Sequence, residues 1–175
     1  TGEVLGIDLG IKNLIHTSNN EIFNNPKVLK YHLKKLKRYQ RELSRRTKGS
    51  KRREKSRKQL SRLHCRISNI RKDNIQKITT MLVKTKPSVI VIEDLSLKNM
   101  VQNHKLAQAL NDSSLSEISR CLKYKSDWNG IFLTQIPRFF PSSKLCNKCG
   151  NVKRNLKISE RIYTCEICKN EDDRD

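Results

Sequence analysis

Two carboxylates stand where acids are costly. Asp8 interrupts the apolar run Val-Leu-Gly-Ile-Asp-Leu-Gly between Val4 and Gly10, and Glu93 closes the run Val89–Ile92. Near-continuous apolar runs of this length read as buried central strands, and a carboxylate within one needs a partner or a bound ion. Two strands that each deliver one acid suit a shared hard cation, magnesium or manganese, because both prefer oxygen ligands. The bland alternative is a pair of strand-end acids in solvent. Four more residues of ligand type form two matched pairs, Cys146-x-x-Cys149 and Cys165-x-x-Cys168, with 15 residues between them. Each pair sets two thiolates on one side of a tight turn, and two such knuckles complete a tetrahedral four-sulfur zinc site. Sulfur then fills every coordination position, so this zinc folds the module rather than catalyses; a redox dithiol would use one pair alone. Directly after the second pair, Glu171-Asp-Asp-Arg-Asp175 holds four carboxylates in five residues. It reads either as a solvated tail or as the source of a third acid beside Asp8 and Glu93.

The elements that must position these residues follow from periodicity. Residues 4–17 predict a first strand, a turn at Gly10–Asn13 and a second strand. Asn19-Asn20 turns the chain again into the short strand Glu21–Phe23, giving an antiparallel meander. Leu29, Leu33, Leu36 and Leu43 keep to one helix face, as do Leu60, Leu63, Ile67, Ile70, Ile78 and Leu82. With Thr47-Lys-Gly-Ser50 as a turn, residues 28–84 predict a helical hairpin. Pro87 ends it, and Val89–Glu93 returns as a strand parallel to the first after so long a crossover. Asn103–Trp128 is a second helical region, with Leu106, Leu110, Ile118, Leu122 and Trp128 expected to cover the sheet. Ile131–Ile136 is the last short strand of the core.

A chain of 175 residues buries one real core and a small satellite. Its 38 Lys and Arg against 17 Asp and Glu give a net charge of +21, which points to a polyanionic partner, nucleic acid before membrane. Between Lys30 and Lys86 there are 22 cations against Glu42, Glu54 and Asp73, so +19 of the +21 sits on the hairpin. A solvated helix face normally interleaves acids with bases; here acids are too few, and a phosphate backbone would relieve the repulsion, with affinity falling steeply as salt rises. The candidate nucleic-acid-binding residues are Lys37, Arg38, Arg41, Arg45, Arg46, Lys48, Lys51, Arg52, Arg53 and Arg57. No run reaches transmembrane length and no signal peptide is evident. Cysteines without a secretory signal read as metal ligands in a reducing compartment, with Cys65 and Cys121 as small buried hydrophobes. The expected location is bacterial cytoplasm, in association with the nucleoid. The abrupt opening at Thr1 and the stop at Asp175 predict a piece of a larger chain.

At these residues the sequence resembles a known family. Gly-Ile-Asp-Leu-Gly around Asp8 and Val-Ile-Val-Ile-Glu-Asp-Leu around Glu93 resemble the first two motifs of RuvC-type, RNase H-like nuclease domains. The run from Arg138 to Gly150, the second cysteine pair and Asp173-Arg-Asp175 look like the TnpB family, transposon-encoded RNA-guided DNA nucleases similar here to compact type V CRISPR effectors. The likeness spans essentially the whole chain, with motifs in the same order. It implies an α/β fold: an RNase H-like (RuvC) mixed sheet with a long basic helical hairpin insertion and a small four-cysteine zinc-ribbon module. The implied division is a RuvC-like core at 1–141, with the hairpin at 28–86, the zinc ribbon at 142–170 and a truncated third motif at 171–175. It implies catalytic Asp8, Glu93 and Asp175, with Asp173 as the fallback third acid, holding two Mg2+ or Mn2+ ions. Guide RNA and target DNA are the implied partners. Asp94 adjoins Glu93 but belongs to the other strand face. The chain lacks the helix that usually follows the third motif and the N-terminal recognition domains, and carries Lys169 where glycine is common. Rival readings are a binding-only relative, a transposase on the same fold, and a plain zinc-ribbon binder; the last leaves Asp8 and Glu93 idle.

Overall fold

The computed structural model describes residues 2–137, 140–153, 155 and 162–173. Its elements run β1 Val4–Leu9, β2 Asn13–Thr17, β3 Ile22–Asn24, α1 Val28–Arg45, α2 Lys51–Lys84, β4 Val89–Glu93, α3 Leu97–Val101, α4 His104–Ser113, α5 Leu115–Trp128, β5 Phe132–Ile136, β6 Ile162–Thr164 and β7 Glu171–Asp173. A β-branched, apolar β1 takes the centre of a five-stranded sheet in the order β3-β2-β1-β4-β5. It pairs antiparallel with β2 and parallel with β4, which pairs parallel with β5. Glycine is required where β1 turns into β2: a Cβ at Gly10 would lie 2.8 Å from the Asn13 carbonyl oxygen.

Alternation along β1 and β4 sends Leu5, Ile7, Leu9, Ile90 and Ile92 to one face, where they are buried. Ile75, Ile78, Leu82 and Val83 of α2, Leu110 of α4 and Leu115, Ile118 and Leu122 of α5 cover that face in one core. A second, separate cluster of Val28, Leu36, Leu63 and Ile67 holds α1 against the first half of α2. The buried stripe of α2 therefore rotates along its length, because its first half packs on a helix and its second half on the sheet and α5. Ile70 falls at the crossover and is 37% exposed, with Ile75 taking the core position expected of it.

Two further expectations are corrected, while the helical region expected over Asn103–Trp128 forms as α4 and α5, parted at Ser114, which has φ 54. There the Ser113 hydroxyl donates to the Leu110 carbonyl at 2.8 Å, an alternative to continuing the helix. Trp128 does not cover the sheet but is 80% exposed, because Ile118, Cys121, Leu122 and Lys125 set the core face and turn it to the flank, edge-on to Tyr124. Leu106 is also left partly exposed, at 40%. Cys121 is buried as expected, but Cys65 is exposed, on the face of α2 opposite Leu63 and Ile67.

Candidate functional site

β1 and β4 run in register from Val4 beside Val89 to Ile7 beside Ile92. One step further brings Asp8 level with Glu93, on strands about 4.8 Å apart. Both side chains are half-buried, on the face opposite the core. The same level continues across the sheet: His16 of β2 stands opposite Asp8, and Ile136 of β5 opposite Glu93. His16, which no motif or spacing singles out, thus shares a level with both acids. Two carboxylates on one level and one face of adjacent parallel strands are hard-oxygen donors of the kind that suits a divalent cation. Asp175 lies outside the described residues. Asp173 is placed only as the last residue of β7, paired with Ile162.

The four cysteines do come together. Their sulfurs all lie within 4.8 Å of one another, with Cys146 to Cys168 at 3.6 Å and Cys149 to Cys165 at 3.5 Å. A zinc ion with bonds of about 2.3 Å sets tetrahedral sulfurs about 3.8 Å apart, so the cluster fits that ion. The two knuckles are built alike. In each, the first cysteine N–H donates at 2.8 Å to the carbonyl of an asparagine five residues on, Asn151 or Asn170. In each, the residue after the second cysteine has positive φ: 72 at Gly150 and 57 at Lys169. The Asn170 amide bonds Asn147 at 3.0 Å and joins the knuckles. N–H groups of Cys168 and Ile167 aimed at Cys165 lower its thiol to about 6. Burial opposes ionisation of Cys146, yet N–H groups of Cys149 and Lys148 bring it below its ordinary value. Cys149 receives the Asn151 N–H, but burial and neighbouring thiols push it up to about 12. A bound cation removes this competition by favouring the thiolate at every position.

The hairpin sorts its cations into two kinds. At the turn, Ser50 caps α2 by accepting the Arg53 N–H at 3.1 Å. The Arg53 guanidinium donates to the carbonyls of Leu43 and Arg46 at 2.9 and 3.0 Å. Arg46 in turn donates to the Arg52 carbonyl at 3.0 Å and pairs with Glu42. Arg57 is forked onto Glu54 at 2.8 and 2.7 Å. Arg46 and Arg53 therefore staple the hairpin, Arg46 while also lining a groove along α1, and Arg57 is tied within α2. The few acids here all find bases, Asp73 pairing with Lys77, so the helix pairs that their scarcity argued against do form. Arg38, Arg41 and Arg45 instead share a helix face with Lys34, Lys35 and Tyr31. Together with Arg66 of α2 they line an open groove of about 990 Å³. Lys34, Lys35, Arg66 and the 84%-exposed Tyr31 were missed by the sequence selection; the 34/38/41/45 spacing, one helix face, was the available signal.

The fold is a mixed α/β one built on a five-stranded mixed sheet, with Asp8 near the end of β1 and Glu93 at the end of β4. Residues 1–104 match the family model OrfB_IS605, described as a probable transposase, and residues 116–175 match the Cas12f1-like TNB domain. The chain belongs to the OrfB_IS605 family, the TnpB proteins. It is 42% identical over 175 residues to a candidate RNA-guided DNA endonuclease of Streptomyces pristinaespiralis. It is also 32% identical over 182 aligned positions to the candidate RNA-guided DNA endonuclease InsQ of Escherichia coli K12. All of the chain aligns with the first relative and 95% with the second, but it spans only 43% and 45% of their lengths. Its fold resembles a Cas12f1 chain solved by cryo-electron microscopy with single guide RNA and target DNA. That match has a TM-score of 0.63 at 18% identity and covers 97% of this chain and 46% of that one. A CRISPR-Cas12f ternary complex gives a TM-score of 0.64 at 20% identity, over 99% of this chain and 38% of that one.

Proposed function

We propose that this chain is the nuclease portion of a metal-dependent RNA-guided DNA endonuclease, hydrolysing phosphodiesters at a centre formed by Asp8, Glu93 and Asp175. The observation that carries the reading is the alignment of Asp8 beside Glu93 at the end of a parallel strand pair. A divalent pair bound there, magnesium or manganese, would supply an activated water and neutralise charge on the leaving 3′ oxygen. The protein's part would be positional: β1 and β4 hold Asp8 and Glu93 on one level, and the acidic segment after the ribbon would bring the third acid. The four cysteines would hold zinc and fold the 142–170 module. Lys37, Arg38, Arg41, Arg45, Lys48, Lys51 and Arg52 would contact phosphate, with sequence choice left to pairing between a guide RNA and its target DNA. A cytoplasmic, nucleoid-associated location follows from those partners. Among the described residues no helix is long and apolar enough to cross a membrane.

The test uses full-length protein purified with the RNA of its own locus, and labelled DNA matching that RNA. Cutting in magnesium, absent in EDTA and abolished by Asp8→Ala and Glu93→Ala while guided DNA binding persists, is the expected result. Guided binding without cutting in either magnesium or manganese would replace this reading with a binding-only role. The transposase description of the family favours one further reading on the same acids, which joined strand-transfer products in place of free ends would establish.

A further inference from the structure

Three residues beyond Asp8, the chain leaves β1 and forms one wall of a separate pocket of about 490 Å³. Ile11 and Lys12 of the β1–β2 turn stand on one side, and Leu106 and Ala109, one turn apart on α4, on the other. Lys27 and Lys30, at the start of α1, join them. The volume falls within the ordinary range for small-molecule sites. Its lining combines apolar side chains, Ile11, Leu106 and Ala109, with three ammonium groups, beside Asn25 and Gln108. Leu106 is 40% exposed, so the lining offers apolar surface to whatever enters.

The charge on the lysines is available. Among the described residues none of Lys12, Lys27 and Lys30 forms an ion pair. The one acid in the lining, Asp112, is committed elsewhere. Its carboxylate accepts the Arg71 guanidinium at 3.0 Å and the N–H groups of Leu29 and Lys30 at 2.9 and 3.2 Å. It therefore does not oppose an incoming anion, and it also occupies the α1 N-terminal donors, leaving anion contact to the lysine side chains. A flat apolar group joined to phosphates matches both halves of this lining.

We infer that this pocket seats one unpaired nucleotide of the DNA strand, its base against Ile11, Leu106 and Ala109 and its flanking phosphates on Lys12, Lys27 and Lys30. The choice of DNA rests on the nuclease reading above: Ile11 and Lys12 lie in the turn that follows the strand carrying Asp8, at the strand ends where ligands of open α/β sheets bind, so a strand led to the acids passes this turn. Such a seat would fix the strand's register on the acids.

The experiment places 2-aminopurine at successive positions around the cut site in target DNA bound by the full-length protein and its RNA. All proteins compared carry Asp8→Ala and no chelator is added, so the outcome does not depend on cutting, the metal of the ribbon is kept, and the result stands apart from the test of the nuclease reading. A base leaving its stack for the pocket brightens at one DNA position, and Ala109→Leu, which adds bulk to the apolar lining, removes that signal. Lys12→Gln with Lys30→Gln, both exposed and free of packing duties, lowers the salt slope of single-strand binding by about 0.7 for each phosphate no longer neutralised. The lysine pair decides the matter should the leucine variant fold poorly. No responsive DNA position, a response confined to the RNA, or a signal and slope unchanged in the variants would each overturn the assignment.

Discussion

Lys169 holds a backbone angle that side-chain-bearing residues avoid. Its φ of 57 repeats the positive φ of Gly150 in the first knuckle, where no Cβ is present to object. The left-handed region costs an L-residue about 1–2 kcal/mol, and the cysteine geometry on either side enforces it. Lys169→Gly is accordingly expected to stabilise the zinc-loaded ribbon by about 1 kcal/mol, read as a higher chelator concentration at half-release of metal. An unchanged midpoint would mean that the strain is relieved elsewhere. Lys125 is a second residue out of its usual setting: it is buried and donates to the Gln76 carbonyl and the hydroxyls of Thr79 and Thr80 at 2.7–2.9 Å. Burial pushes its ammonium below the ordinary lysine value, and three oxygens on α2 replace the carboxylate it lacks.

At the scale of elements, the hairpin hangs from one carboxylate. α1 begins at a left-handed Lys27 with no side-chain cap of its own. Asp112 of α4 supplies the cap from 83 residues away and ties it to Arg71 of α2. Asp112→Ala leaves two N–H groups and a largely buried guanidinium without their partner, a loss of about 3–5 kcal/mol. Urea unfolding should show that drop, with proteolysis opening first near the start of α1. Nothing local announces this contact, since Asp112 reads as one polar residue in a helix; only the packing of three elements gives it a role. What was legible depended on local pattern. The apolar runs bearing Asp8 and Glu93, the turn at Thr47–Ser50 and the spacing of the cysteines each contain their own signal. The exposure of Ile70 and Trp128 does not, because it follows from where α2 changes partners and which face of α5 meets the sheet. Likewise, which arginines line the open groove and which staple the turn depends on carbonyls that only the folded hairpin presents.

For the molecule as a whole, the parallel pairing of β1 with β4 joins residues 85 positions apart, with the entire hairpin between them. The hairpin's own cluster, by contrast, forms from contacts within α1 and α2. Local contacts form early in folding, whereas closing a long loop must await enough interactions to offset its entropy. Pulse-labelling hydrogen exchange should find hairpin amides around Leu36 and Leu63 protected before those of β4; simultaneous protection would contradict this order. On the proposed function, a chain emerging from the ribosome would hold nucleic acid along its basic arm before Asp8 and Glu93 are neighbours. Its capacity to bind would precede its capacity to damage, with the interval set by how quickly β4 finds β1.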